Sequence, residues 1–102
     1  MSHHIDPELQ DAPSPGDVLL EKVIQPLGIS IPDLAKAIHV PPNRLYLIIQ
    51  GKRELSIDTA VRLGKYLGMS PEFWLNIQMR HQLKEYLGNI PDSVSDIQPI
   101  NS

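Results

Sequence analysis

The chain has 102 residues, an apolar share of 41% and a formal net charge of −3, which suit one domain with a modest core and leave no room for two independent domains. It contains no cysteine, which excludes a disulfide framework, a thiolate nucleophile and a cysteine-ligated zinc site. No apolar run approaches the roughly 20 residues of a membrane helix, and the N-terminus lacks the basic-then-apolar order of a signal peptide. We therefore expect a soluble, cytoplasmic protein.

A flexible N-terminal tail is predicted over residues 1–13, which carry acids and prolines but almost no apolar periodicity. The adjacent His3 and His4 resemble metal ligands, but a histidine pair at a terminus more often belongs to an unstructured segment. We predict no metal site there.

A first helix is predicted to follow, with Ser14 as its N-cap and Pro15 at its first helical position. Its apolar residues recur at helical spacing and form one stripe: Val18, Leu19, Val23, Ile24 and Leu27. Gly28 supplies the stop. Because proline disrupts a helix interior, Pro26 is expected to kink this helix or to end it one residue early.

Residues 30–53 predict two short helices joined by a tight turn, which is the helix-turn-helix pattern. A serine caps the first helix, and Ala35 in its middle is small enough for a close crossing with the second. His39 occupies the turn position that needs a left-handed backbone, which glycine usually supplies and histidine tolerates. Because proline fits only the first turn of a helix, the second helix should begin at about Pro42, and Gly51 should end it.

A fourth and a fifth helix complete the predicted domain. Ser56 caps the fourth, and Ser70 with Pro71 starts a fifth that runs to about Leu87. The fifth helix carries two apolar stripes, one through Phe73 and Ile77 and another through Leu75, Met79, Leu83 and Tyr86. Either both stripes pack in the core or one binds a partner, and we favour the partner because four other helices compete for a small interior. Residues 88–102 are polar with isolated isoleucines and predict an extended or disordered tail.

Positive charge is concentrated in residues 36–65, which carry six basic and two acidic residues, a local net charge of +4. Residues 1–29 carry one lysine against five acids, a local net charge of −4. The basic excess therefore lies where a helix-turn-helix would meet a phosphate backbone. Six cations are few for DNA binding, which favours moderate affinity or binding as a dimer.

Enzymatic functions have little support in the sequence. It contains no His-Glu-x-x-His motif, no glycine-rich phosphate loop and no cysteine nucleophile. His81 and Glu85 are four residues apart and can share one helix face, but an exposed polar face is a commoner role for such a pair than metal binding. We predict no catalytic site, no metal and no cofactor.

Five motifs together carry a family resemblance: SPGDVL at 14–19, PPNRL at 41–45, GKR at 51–53, DTAVRL at 58–63 and SPEFWLNIQ at 70–78. Over about residues 14–87 the chain resembles the HigA (VapI) antitoxins, a branch of the Xre/Cro-type helix-turn-helix proteins. The last motif is the specific one, because generic Xre domains lack it. The resemblance implies an all-α, five-helix, lambda-repressor-like domain that forms a homodimer. It also implies binding to a palindromic operator in the protein's own promoter and neutralisation of a HigB-type toxin, a ribosome-dependent mRNA interferase.

The chain departs from the family pattern at three positions. The family usually has histidine at the position of Ser14, glycine at His39 and often glutamine at Ile31. A glutamine at that last position commonly contacts a phosphate, and Ser30 can donate to the same phosphate instead.

The second helix of the helix-turn-helix should lie in the major groove, with its N-terminal residues nearest the bases. Asn43 and Gln50 can then pair with adenine edges, Arg44 can take guanine or a phosphate, and Leu47 can meet a thymine methyl group. Lys52 and Arg53 fit phosphate contacts in the following loop. The predicted DNA-binding residues are Ser30, Pro42, Asn43, Arg44, Tyr46, Leu47, Gln50, Lys52 and Arg53. Arg62 and Lys65 are weaker candidates and are expected to be solvated.

The predicted dimer interface lies on the fifth helix and comprises Trp74, Leu75, Met79, Leu83 and Tyr86. Two alternatives to an autorepressing antitoxin remain open. One is a stand-alone Xre-family transcriptional regulator. The other is a toxin-binding interaction module without operator binding, which the departures from the family pattern at Ile31 and His39 favour.

Overall fold

The structure is a computed structural model that describes residues 11–101, and within that range it contains helices and no strand. This confirms the all-α fold. The pair His3 and His4 and nearly all of the predicted tail over residues 1–13 lie outside the described residues. The helices are α1 (Pro15–Val18, Leu19–Ile24 and Gln25–Leu27 in one run), α2 (Ile31–Ala37), α3 (Pro42–Ile49), α4 (Ile57–Leu67), α5 (Pro71–Leu87) and α6 (Asp92–Ser95).

Four helices begin at a serine whose hydroxyl oxygen accepts a backbone N–H in the first turn. These caps lie before α1, α2, α4 and α5, with donor–acceptor distances of 3.0, 3.1, 3.2 and 3.3 Å at Ser14, Ser30, Ser56 and Ser70. Each such cap stabilises a helix by about 1 kcal/mol relative to alanine. The predicted starts of these four helices are confirmed. They could be predicted because each cap depends only on residues within one turn.

The middle of α1 widens into a π-helix over Leu19–Ile24, which ends two residues before Pro26. Proline has no N–H, and its ring clashes with the carbonyl four residues earlier in a regular α-helix. In the wider turn the N–H of Gln25 donates instead to the carbonyl of Leu20, five residues back. Pro26 therefore alters the preceding turn, and the helix continues through it to Leu27.

Each of the first five helices contributes one fully buried large side chain to a common core. These are Leu19, Leu34, Leu45, Leu63 and Trp74, all 0% exposed. Burial of each leucine stabilises the fold by about 1.5–3 kcal/mol. Trp74 corrects the expectation from the sequence: its ring is already enclosed within the chain, so a second copy cannot bury it.

The segment after α5 contains one helical turn, α6, that the sequence did not predict. Pro91 precedes it, and the carbonyl of Pro91 accepts the N–H of Ser95 over 3.2 Å. All residues from 91 to 101 are exposed. Within residues 11–101, no helix has the length and apolar character needed to cross a bilayer.

Candidate nucleic-acid interface

The turn between α2 and α3 is held by two backbone hydrogen bonds. The N–H of Val40 donates to the carbonyl of Ala35 over 3.0 Å, and that of His39 to the carbonyl of Lys36 over 3.2 Å. His39 has a φ of 63°, so the predicted left-handed backbone at this residue is confirmed. Ala35 is 0% exposed, consistent with a close crossing of α2 and α3.

The outer face of α3 carries uncharged side chains. Asn43 and Tyr46 are exposed, as is Gln50, the C-cap residue that ends α3; Leu47 is half-buried and Leu45 is buried. Within residues 11–101 the side-chain amides of Asn43 and Gln50 make no hydrogen bond. These amides are therefore free to meet base edges.

Arg44, also on α3, is engaged within the chain. Its Nη1 donates to Asp58 Oδ2 on α4 over 2.7 Å. Its Nε is buried and has no hydrogen-bond partner, and 23% of the side chain is exposed. The sequence predicts a guanine or phosphate contact for Arg44, because a partner 14 residues away leaves no local pattern.

Arg62 joins Asp58 to the turn of the helix-turn-helix. Its Nε donates to both oxygens of Asp58 over 3.0 Å, and its Nη1 donates to the carbonyl of Ile38 over 3.0 Å and lies 3.4 Å from that of His39. A cation at these carbonyls offsets the negative end of the α2 dipole. Arg62, which the sequence predicts to be solvated, therefore has a structural role. Only its ion pair with Asp58 is indicated by the sequence, because the two residues are four apart on one helix.

Two arginines hold Asp58 in its ionised form. The hydrogen bond from Arg62 and then that from Arg44 keep the pKa of the Asp58 carboxyl below its ordinary value. The Arg44–Asp58–Arg62 cluster thus retains one carboxylate between two guanidinium groups and connects α2, α3 and α4.

The loop after α3 carries Lys52 and Arg53, both exposed and without an ion pair within residues 11–101. The N–H of Lys52 donates to the carbonyl of Leu47 over 2.9 Å, which ties the loop to α3. Further on, the N–H of Leu55 donates to Gln78 Oε1 of α5 over 2.8 Å. The two unpaired cations therefore stand on a loop that is fixed at both ends. Phosphate contacts from such a loop can fix the orientation of a protein on DNA.

Gly16 lets the start of α1 approach the end of α3. A Cβ at this residue would lie 2.7 Å from the Cα of Ile49 and closer still to the carbonyl oxygen of Ile48. Any other residue would force the two backbones apart. The orientation of α3 therefore depends on this glycine, for which the sequence predicts no role.

Ser30 stands exposed at the start of α2. Its oxygen accepts the N–H of Asp33, which leaves the hydroxyl hydrogen free to donate to a phosphate. Pro42 is also exposed, at the first position of α3.

The outer face of α5 presents the second apolar stripe. Met79, Leu83 and Tyr86 are 57%, 43% and 50% exposed, and Leu75 packs partly against the core. His81 lies on the same helix, and its Nδ1 is 3.3 Å from the carbonyl oxygen of Ala12, to which it donates because a carbonyl only accepts. The stripe is a patch that a second chain can cover.

Known proteins share this architecture. Residues 20–74 match the helix-turn-helix family. Virulence-associated protein I of Dichelobacter nodosus is 43% identical over 70 residues, which are 69% of this chain and 65% of that protein. The chain thus spans slightly less than two thirds of that relative. Antitoxin HigA-1 of Vibrio cholerae is 32% identical over 87 residues, which are 85% of this chain and 82% of that protein.

A solved structure extends the similarity to three dimensions. Antitoxin HigA of Pseudomonas aeruginosa, determined with the higBA promoter, has 31% sequence identity and a TM-score of 0.79. The alignment covers 87% of this chain and 98% of that one. The similarity therefore includes both the helix-turn-helix and α5.

Proposed function

The chain belongs to the helix-turn-helix family, in its HigA (VapI)-type branch, and from this premise we propose that it is the antitoxin of a type II toxin–antitoxin system. It binds operator DNA as a homodimer, represses its own operon and neutralises a HigB-type mRNA interferase toxin. It acts in the cytoplasm and is not an enzyme.

The observation that carries operator binding is the outer face of α3. The exposed side-chain amides of Asn43 and Gln50 make no hydrogen bond within residues 11–101. The unpaired cations Lys52 and Arg53 follow directly on the loop after α3. Amides read base edges in the major groove, and cations on a fixed loop contact phosphates. Antitoxin HigA of Pseudomonas aeruginosa, which has 31% sequence identity, was determined with the higBA promoter, and this supports operator binding by the present chain.

The exposed stripe of α5 supports dimerisation. Met79, Leu83 and Tyr86 form an apolar surface on the longest helix of residues 11–101, and Leu75 extends it toward the core. A two-fold dimer carries two symmetry-related copies of α3, as the two half-sites of a palindromic operator require. Trp74 is left out of this interface because it is buried in the chain.

A gel-shift titration with the DNA upstream of the gene tests operator binding. We expect a complex at nanomolar to micromolar protein that an unrelated DNA of equal length does not compete away. The double variant Asn43→Ala/Gln50→Ala should bind both DNAs with similar affinity. If the wild type shows no complex even at low salt but still neutralises the toxin, the protein is an interaction module and repression is refuted.

A further inference from the structure

Arginine reads guanine through two N–H donors on one edge of its guanidinium, which bond O6 and N7 of the base together. One such edge combines Nη1 with Nη2, and the other combines Nε with Nη2. In Arg44, Nη1 donates to Asp58 Oδ2 over 2.7 Å, and Nε is buried without a partner. Each edge therefore contains one nitrogen that is held or enclosed.

Asp58 is also bound by Arg62, which lies on the same helix, α4. Arg62 donates to both oxygens of the carboxylate over 3.0 Å and is anchored to the carbonyl of Ile38 over 3.0 Å. The carboxylate that holds Arg44 is thus fixed relative to α2 and α4 together. A two-donor contact of Arg44 with guanine would have to share Nη1 with the Asp58 carboxylate or expose the buried Nε.

The remaining outward side chains of α3 favour one pair of bases. Asn43 and Gln50 can each donate and accept along one edge, as N6 and N7 of adenine require, and Leu47 can pack on the methyl group of thymine. α3 has the sequence PNRLYLII and contains no acid to accept from N4 of cytosine. Its outer face, once Arg44 is held, lacks both the two-donor cation that reads guanine and the acid that reads cytosine.

We propose that α3 reads adenine–thymine pairs, through Asn43, Leu47 and Gln50, and that Asp58 keeps Arg44 out of base readout as a positioning residue. The inference rests on the proposed operator binding and adds the class of bases under α3. Arg44 then fixes α3 against α4 through its ion pair with the Asp58 carboxylate.

Selection from a library of random double-stranded DNA by the full-length protein tests this proposal. The enriched sequence should carry adenine or thymine wherever Asn43→Ala or Gln50→Ala relaxes the choice. Each relaxed position should lose about 5- to 150-fold in preference, as expected for one two-bond contact. Arg44→Lys keeps a cation beside Asp58 but cannot form the two-donor contact, so it should select the same sequence as the wild type.

Asp58→Asn supplies the complementary arm. It removes the negative charge and one of the two acceptor oxygens, which weakens the hold on Arg44. Its selected sequence should therefore gain a guanine, and the double variant Asp58→Asn/Arg44→Lys should lose that guanine again. Circular dichroism checks that every variant is folded. An unchanged sequence for folded Asp58→Asn would overturn the role of Asp58.

The remaining outcomes separate this inference from the proposed function. An enriched wild-type sequence with a guanine that disappears in Arg44→Lys refutes the inference and leaves operator binding intact. No enrichment of any sequence by the wild type refutes operator binding itself, and the inference with it.

Discussion

Asp58 Oδ2 of α4 lies 2.7 Å from Arg44 Nη1 of α3, so the first turn of α4 fixes the orientation of α3, the helix that would enter the groove. Arg62 extends this contact to the end of α2. The helix-turn-helix is therefore braced from outside by α4, in addition to the apolar contacts between its own two helices.

The Arg44–Asp58–Arg62 cluster predicts a pH-dependent contribution to stability. Hydrogen bonds from Arg62 and Arg44 hold the pKa of Asp58 below 3.8, so the folded state favours the ionised carboxyl. Such a contribution is fully present above the ordinary pKa and is lost as the pH falls through the lowered one. Asp58→Asn should therefore lower the melting temperature at neutral pH, and the difference from wild type should shrink in strong acid.

High salt provides the control for this prediction. The Asp58 side chain is 55% exposed, so the ion pairs are screened and the neutral-pH difference should fall at about 1 M salt. A difference between wild type and Asp58→Asn that is independent of both pH and salt would show that charge is not its cause.

Gly16→Ala is predicted to destabilise the domain through overpacking. The added Cβ would meet the backbone of Ile48 and Ile49, which cannot rotate away as a side chain can. The expected loss is about 1–3 kcal/mol of unfolding free energy, measured by urea denaturation. Operator affinity should fall as well, since α3 must shift.

Gly88→Ala is the matched control for that substitution. Gly88 has a φ of −72°, and a Cβ there would lie no closer than 3.4 Å to the Lys84 carbonyl oxygen. It should change the unfolding free energy by less than about 1 kcal/mol. Equal losses for the two variants would contradict the close approach of α1 and α3.

Lys52→Ala should weaken binding to every DNA sequence alike. Lys52 is exposed and unpaired within the described part of the chain. Log K falls with log salt, and loss of one phosphate contact should make this negative slope shallower by about 0.9. Fluorescence anisotropy on operator and unrelated DNA at several salt concentrations measures both effects. Lys22→Ala, on α1 outside the basic segment 36–65, should leave the slope unchanged. A loss confined to operator DNA would assign Lys52 to base readout instead.

Local chemistry explains which parts of the fold the sequence predicts. Ser56 as a cap and His39 as a left-handed turn residue depend on neighbours within a few positions, and both were predicted. By contrast, Arg62 meets the carbonyl of Ile38 from 24 residues away, and Gln78 meets the N–H of Leu55 from 23 residues away. No local spacing encodes such contacts, so they could not be predicted.

The burial of Trp74 could not be predicted from the sequence for a different reason. α5 is apolar around much of its circumference, so helical periodicity does not decide which side faces the core. The structure buries Trp74 completely and leaves Met79, five residues later, 57% exposed. Packing of α5 against α4 and α1 makes that choice, and it becomes visible only when all the helices are assembled.

Leu83→Glu is predicted to give a monomer. Leu83 is 43% exposed and lies between Met79 and Tyr86 on the proposed dimer surface, where a carboxylate from each copy would be desolvated beside apolar groups. Multi-angle light scattering should give the mass of one chain for this variant and of two chains for the wild type. Gln82→Glu adds the same charge at the neighbouring exposed position and should remain dimeric. Since Leu83 is not in the buried core, the variant should keep its helical circular dichroism, and a folded Leu83→Glu protein with the dimer mass would place the interface elsewhere.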